Sequence, residues 1–224
     1  MIKFLFPILA VFLGVVIAMF SKNKKALNTK LLLSFSGAFL LALTLFELLP
    51  EVYEHIEAKR TGLFIMCGIL LQIVLELFSK GAEHGHVHIH KDEKDFPWML
   101  FISLCIHSFL EGFPIHEHND MVYGVLVHKI PIATLISMFL FQSSFNKFKI
   151  GLFLVVFASM TPLGTLISNT VNLSLSLANS INAIVIGIFF HISTTILFES
   201  GEGHKFNLRK FVAIILGVVI AYII

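Results

Sequence analysis

Charged residues are scarce in this chain of 224 residues. Asp, Glu, Lys and Arg make up 13% of the sequence, whereas about a quarter of a soluble domain is charged. Hydrophobic residues make up 57%, and the mean hydropathy is +0.90. These values exclude a soluble globular domain and predict an integral membrane protein embedded in a lipid bilayer. The formal net charge of only +2 gives no indication of nucleic-acid binding.

Cysteine is also rare, with only Cys67 and Cys105 present. Both stand in apolar runs, so we expect buried small hydrophobic side chains rather than a disulfide or a metal-binding pair.

Eight apolar runs have the length of a transmembrane helix, about 17–25 residues. We therefore predict an all-α protein in which eight transmembrane helices form one compact bundle and a single domain, residues 1–224. The first run lacks a small-x-small cleavage site, so we expect it to be retained. The predicted helices cover about residues 2–20, 31–50, 61–79, 97–115, 121–143, 148–169, 177–198 and 208–224.

The positive charges predict the orientation of these helices. Of the 16 Lys and Arg residues, 12 lie in the connections that follow odd-numbered predicted helices, 3 lie on the opposite side, and Lys129 lies inside the fifth helix. Because cytoplasmic connections carry the excess of Lys and Arg, both termini are predicted to be extracytoplasmic. We expect a multi-pass protein of the plasma (inner) membrane.

The fourth and fifth predicted helices each carry a histidine well inside an apolar run. His107 is followed four residues later by Glu111, on the same helix face, and His128 lies in the next helix. Ionisable groups within a membrane usually face one another, a water-filled cavity or a bound ion. Two imidazoles and a carboxylate suit a first-row divalent cation, although either histidine alone could serve a structural hydrogen bond.

Prolines follow both histidines. Pro114 is expected to free the carbonyl of Leu110, and Pro131 that of Val127. Paired broken helices at mid-membrane are a common way to build an ion site.

Two polar connections carry further histidines. The predicted cytoplasmic loop 80–96 is suited to loose binding of a divalent ion, the alternative being a solvated polar loop. Its histidines are His84, His86, His88 and His90. In the HEHND connection, His116 and His118 could attract a cation to a pathway or belong to a hydrophilic turn.

Three other helices contain polar groups. Glu47 could supply a further carboxylate to the site or lie at the membrane edge. In the seventh predicted helix, His191, Thr195 and Glu199 form one stripe, for which a structural network is favoured over metal contact. The SMTPLG segment, with Thr161, predicts a kink and a close-packing point.

Together these motifs resemble the ZIP (Zrt/Irt-like) family of divalent-metal transporters. The resemblance rests on HSFLEG and HKIP, supported by ELLPE, TPLG and the histidine-rich connection. It implies an eight-helix bundle whose fourth and fifth helices line a mid-membrane metal site. It also implies transport of zinc, or of iron, manganese or cadmium, toward the cytoplasm by a homodimer. No organic cofactor is expected.

By position, His107, Glu111 and His128 match metal ligands of that family, and Ser108 stands where many members have Asn. Ser108 and Glu47 are therefore included with the three as candidate metal-contacting residues.

The chain departs from the family pattern after His128. Lys129 replaces a carboxylate found in many members, while Ile132 and Ala133 replace His and Glu. An ammonium beside the site repels a second dication or takes its place. We therefore predict a single-metal site, with Glu47 as a partner for the metal or for Lys129.

Two other classes of function compete with transport. An intramembrane metal-dependent hydrolase could use the same ligands, but HExxH is absent and we do not expect an enzyme. A metal sensor or storage protein could use the histidine-rich loop alone. No GxxxxGK[ST] motif is present to bind a nucleotide.

Overall fold

The computed structural model of the chain describes residues 1–20, 29–79, 96–116, 120–199 and 208–224. The predicted loop ligands His84, His86, His88 and His90 lie outside these ranges, as does His118. Glu199 ends a helix, but its side chain is likewise outside the description.

All regular structure within these ranges is helical. The α-helices are α1 (Ile2–Phe20), α2 (Thr29–Leu43), α3 (Leu49–His55), α4 (Ala58–Ser79), α5 (Trp98–Leu110), α6 (Met121–Gln142), α7 (Lys147–Thr170), α8 (Leu175–Glu199) and α9 (Leu208–Ile223). A π-helical turn, Thr44–Leu48, joins α2 to α3.

Six of these segments are long and apolar enough to cross a membrane. They are residues Ile2–Phe20, Thr29–His55, Ala58–Ser79, Met121–Gln142, Lys147–Thr170 and Leu175–Phe198. Many large apolar side chains are exposed on their outer faces, as lipid contact requires.

Two predicted helices end about five residues away from the observed ends. The second was expected to end at Pro50 but continues through the π-helical turn to His55. The fourth was expected to reach Ile115 but is only 13 residues long as α5. At 1.5 Å per residue α5 measures about 20 Å, less than the ~30 Å hydrocarbon core of a bilayer. The last helix, α9, is 16 residues long and ends within one residue of its predicted end.

The helices pack in a connected bundle. Helix α1 contacts α6 and α7; α2 contacts α6, α8 and α9; α4 contacts α5 and α8; and α5 contacts α7. Two clusters of buried apolar residues fill the interior. The first cluster includes Leu100, Leu104, Ile132, Ile136, Phe153 and Phe157. The second cluster includes Leu40, Leu43, Val52, Met121, Val125 and Phe189.

Helix α6 takes part in both clusters. Residues 121–125 contribute to the second cluster and residues 132–140 to the first. His128 and Lys129 lie between these two stretches, and both are buried. The fold therefore places them in a polar layer between two apolar ones.

The expectation that both cysteines are buried is wrong for Cys67, which is exposed, while Cys105 is partly buried. The reason is that an apolar run in a membrane protein has a face toward lipid as well as a face toward protein. Both thiols are free.

Two glycines allow α4 and α8 to approach backbone to backbone. A Cβ atom added to Gly68 would overlap the carbonyl oxygen of Ile184, and one added to Gly187 would overlap that of Ile65. Small residues permit such close helix contacts within membranes.

We expect Gly68→Ala to destabilise the protein by about 1–3 kcal/mol, because its methyl group enters a backbone contact that cannot move aside cheaply. Thermal unfolding of the detergent-purified protein should show a lower Tm. Gly62→Ala is the matched control on the same helix, because a Cβ there meets nothing within 4 Å. Equal Tm values for the two variants would contradict the packing argument.

Candidate metal site

The site begins where α5 ends. Leu110 is the last residue of the helix, and a turn follows through Pro114. Glu111 keeps helical backbone angles, and its N–H donates to the carbonyl of His107 at 3.0 Å. His107 and Glu111 therefore remain one helical turn apart on the same face.

The two predicted proline breaks have different outcomes. The carbonyl of Leu110 accepts the N–H of Phe113 at 3.1 Å, because the helix has already ended before Pro114. Pro131 lies inside α6, and the helix continues past it to Gln142. The ligand-bearing helices are thus not a pair of broken helices.

Polar side chains of α7 satisfy the carbonyls released after α5. Thr165 donates its hydroxyl to the carbonyl of Gly112 at 2.9 Å, and Ser168 donates to that of Phe113 at 3.0 Å. Buried backbone oxygens need such partners where no helix supplies them. The turn after α5 is therefore bound directly to α7.

Close backbone contact strengthens the same junction. A Cβ on Gly112 would overlap the carbonyl oxygen of Thr161, and a Cβ on Gly164 would overlap that of Phe109. The close approach brings the Thr161 side chain to Glu111.

The structure brings His107, Glu111 and His128 together. All three are buried, and one ligand atom from each lies within 4.8 Å of the others. His107 Nε2 is 3.5 Å from Glu111 Oε2, and the two imidazole rings lie 6.3 Å apart at 79°. A tetrahedral zinc ion with bonds of about 2.0–2.1 Å separates its ligand atoms by roughly 3.3–3.4 Å. The group therefore needs only small movements to hold such an ion, with water as a further ligand.

Lys129 binds to the other side of Glu111. Its Nζ, on a side chain 2% exposed, donates to Glu111 Oε1, to Ser108 Oγ at 2.8 Å and to Thr161 Oγ1 at 2.7 Å. It also lies 4.7 Å from the centroid of the Phe157 ring, within the range of a cation–π contact. These three hydrogen bonds use every donor of the ammonium group.

The two carboxylate oxygens of Glu111 consequently have different surroundings. Oε1 accepts from Lys129 and from the Thr161 hydroxyl, the latter at 2.6 Å. Oε2 is directed to His107. With Lys129 and Glu111 ionised and both histidines neutral, the site has no net formal charge. It offers an incoming cation two nitrogens and one carboxylate oxygen.

The structure places the other two candidate metal-contacting residues, Ser108 and Glu47, in different surroundings. Ser108 is at the site, where its hydroxyl accepts a hydrogen bond from Lys129. Glu47 is half-buried in the π-helical turn; the structure does not bring it into the ligand group, nor does it pair with Lys129. The sequence argument treated this segment as ordinary α-helix, whereas the wide turn changes the direction of its side chains.

The remaining predicted residues in the described ranges contact carboxylates outside the ligand group. His191 Nε2 lies 2.6 Å from Glu76 Oε2, joining α8 to α4, and His116 Nε2 lies 3.3 Å from Glu51 Oε1. The sequence did not indicate Glu76 as the partner of His191, and the structural role favoured for His191 stays a prediction.

Sequence reasoning missed the roles of Thr161 and Glu76. For Thr161 a signal existed, because Thr161, Thr165, Ser168 and Asn169 repeat at helical spacing within an apolar run. Glu76 is a carboxylate inside an apolar run, which by itself suggests a buried partner.

Comparison with known proteins adds an independent observation. A sequence model of a protein family, described as ZIP Zinc transporter, matches residues 79–224, which is more than half of the chain and includes the whole ligand group. The protein named Zinc transporter ZIP1 of Danio rerio is 27% identical over 182 residues, covering 58% of this chain and 60% of that protein.

Two further relatives match over shorter stretches. Zinc transporter ZIP1 of Takifugu rubripes is 30% identical over 96 residues, covering 40% of this chain and 32% of that protein. Protein zntD of Dictyostelium discoideum is 29% identical over 106 residues, covering 39% of this chain and 16% of that protein. The chain thus spans less than two thirds of the length of each of these relatives.

Thr161→Val should weaken zinc binding by the purified protein about 10–100-fold, the usual effect of losing a group that orients a metal ligand. Valine has nearly the same shape but no hydroxyl to hold Glu111 Oε1 and Lys129. Thr161→Ser should restore most of the affinity. Thr134→Val is the matched control, because the Thr134 hydroxyl bonds only to the carbonyl of Ile130 in its own helix. Unchanged zinc affinity in Thr161→Val would contradict the positioning role.

Proposed function

The chain belongs to the ZIP zinc transporter family, and from that premise we propose that it carries a divalent metal ion, zinc first, across a membrane. The ion binds to His107, Glu111 and His128 on its way. The named ZIP1 relatives are zinc transporters, which supports zinc as the substrate; iron, manganese and cadmium are secondary substrates in this proposal.

The observation that carries the proposal is the depth of the ligand group. Its three members are 4%, 1% and 2% exposed and lie in the polar layer between the two apolar clusters. Ionisable groups at such positions mark ion pathways in membrane proteins. A hydrated ion that reaches this layer exchanges part of its water for two imidazoles and one carboxylate oxygen.

A single ion occupies the site at a time. The Lys129 ammonium is bound to Glu111 Oε1 and repels a second dication in the low-dielectric interior. One carboxylate oxygen of Glu111 remains for the ion, so a second dication there would lack charge compensation.

The finer topology is part of the same proposal. Eight transmembrane helices, with α5 and α9 as the two shorter ones, form a single domain with both termini extracytoplasmic. The excess of Lys and Arg supports this orientation. The ion moves inward across the plasma (inner) membrane, from the HEHND connection toward the histidine-rich loop 80–96. The family resemblance supports a homodimer.

A metal-dependent hydrolase is less well supported. The ligands on α5 are spaced as HxxxE, so no glutamate follows the first histidine as in HExxH. The relatives with printed functions are transporters. A sensor that uses only the histidine-rich loop would leave the buried ligand group without a purpose.

Proteoliposomes that contain the purified protein should accumulate zinc when a zinc gradient is applied. His107→Ala should reduce the initial rate to that of empty liposomes, because the ion loses one of two nitrogen ligands. His55→Ala, which alters an exposed histidine at the end of α3, is the matched control and should transport normally. Normal flux through His107→Ala would rule out this site, and cleavage of a membrane substrate without flux would favour the hydrolase.

The number of zinc ions bound per chain provides a second test. In a variant whose four loop histidines are changed to Ser, equilibrium dialysis should find one tightly bound zinc ion per chain. The same variant should keep much of its zinc flux, whereas a sensor that depends on the loop should lose its response. Two tightly bound ions per chain would contradict the single-metal proposal.

A further inference from the structure

A groove lies where α6 ends and α7 begins, away from the metal site. Its volume is about 420 Å³, which is within the usual size range of ligand pockets. Apolar side chains dominate its walls, with one cation at the edge. The lining residues are Phe141, Ser143, Phe145, Lys147, Ile150, Gly151 and Leu154.

The groove is at the level of a membrane surface. It lies at the short link between two helices that are each long enough to span a membrane. Nearby, Phe96 packs against Phe145 of the groove, with ring centroids 5.6 Å apart, and against Trp98 at 4.8 Å. Trp98 is the only tryptophan of the chain and is exposed. Exposed tryptophan is typical of the boundary between lipid tails and head groups.

Within the part of the chain that the structure describes, the charges nearest this groove are positive. Lys147 is part of its wall, and Lys149, which is exposed two residues further on, lies outside the lining. Among the residues that the structure describes, no carboxylate lies within ion-pair distance of either lysine. The sequence has no Asp or Glu between Met121 and Phe198. The partial positive charge at the start of α7 has the same sign.

We propose that this groove binds an anionic phospholipid of the surrounding bilayer. The phosphate head group contacts Lys147, the exposed Lys149 adds to the positive potential of the nearby surface, and an acyl chain lies along Phe145, Ile150 and Leu154. The apolar wall and the cations lie in the order that an anionic lipid presents its tail and head. A zwitterionic lipid fits the same wall but gains less from the lysines.

Gly151 provides a way to fill the groove without disturbing the helix. A Cβ at this position meets nothing within 4 Å, so a larger side chain has room to enter the cavity. Gly62 on α4 is equally open but lies elsewhere, which makes it a matched control.

The test uses the purified protein in nanodiscs that contain equal parts of phosphatidylglycerol and phosphatidylcholine. After gentle extraction, native mass spectrometry counts the lipids that remain bound to the protein. Lys147→Gln/Lys149→Gln should lower the ratio of bound phosphatidylglycerol to phosphatidylcholine about ten-fold. Gly151→Trp should reduce the retained lipid of both kinds. Gly62→Trp should change neither value.

Lys59→Gln/Arg60→Gln is the charge control, because it removes two exposed cations at the start of α4. An equal loss of phosphatidylglycerol in this variant would overturn the proposal, since general surface charge would then explain the binding. Retention by Gly151→Trp equal to that by Gly62→Trp would also overturn it. If Gly151→Trp does not fold, Gly151→Leu replaces it.

Discussion

The bond between Lys129 and Glu111 is the contact on which the interior of this protein depends. Each charge is fully enclosed, and in an apolar bundle neither could be buried without the other. Because a bare pair leaves donors and lone pairs unsatisfied, the hydroxyls of Ser108 and Thr161 complete it. These four side chains come from α5 and the turn after it, from α6 and from α7, so the ion pair also holds three helices in register.

The same pair determines the formal charge of the ligand group. The empty site is formally neutral, whereas a site that holds a dication carries a charge of +2. A membrane potential acts on each charge with about 2.3 kcal/mol per 100 mV. If the chain transports as proposed, the potential drives the loaded step and has little effect on the return of the empty site. A carboxylate in place of Lys129 would make the empty site negative and the loaded site neutral. The potential would then act mainly on the return of the empty site.

Sequence reasoning was sufficient for features that depend on local spacing. His107 and Glu111 follow from one helical turn, and the membrane character follows from composition. The partnership of Thr161 with Glu111 joins residues 50 positions apart, so it depends on how α5 and α7 approach each other, which no local pattern encodes. The end of α5 at Leu110 was only partly predictable. Gly112 and Pro114 indicate that the helix ends nearby. The bonds from α7 to the carbonyls of Gly112 and Phe113 depend on how the helices pack.

The π-helical turn affects how the sequence of this segment aligns with the sequences of related proteins. Buried positions recur every four residues at Leu40, Thr44, Leu48 and Val52. In a regular α-helix each such step rotates the side chain about 40° beyond a full turn, so the row would leave the buried face. The wider turn at Thr44–Leu48 removes part of that drift. The segment therefore behaves as a one-residue insertion, and a relative with an uninterrupted helix here should align with a single-residue gap.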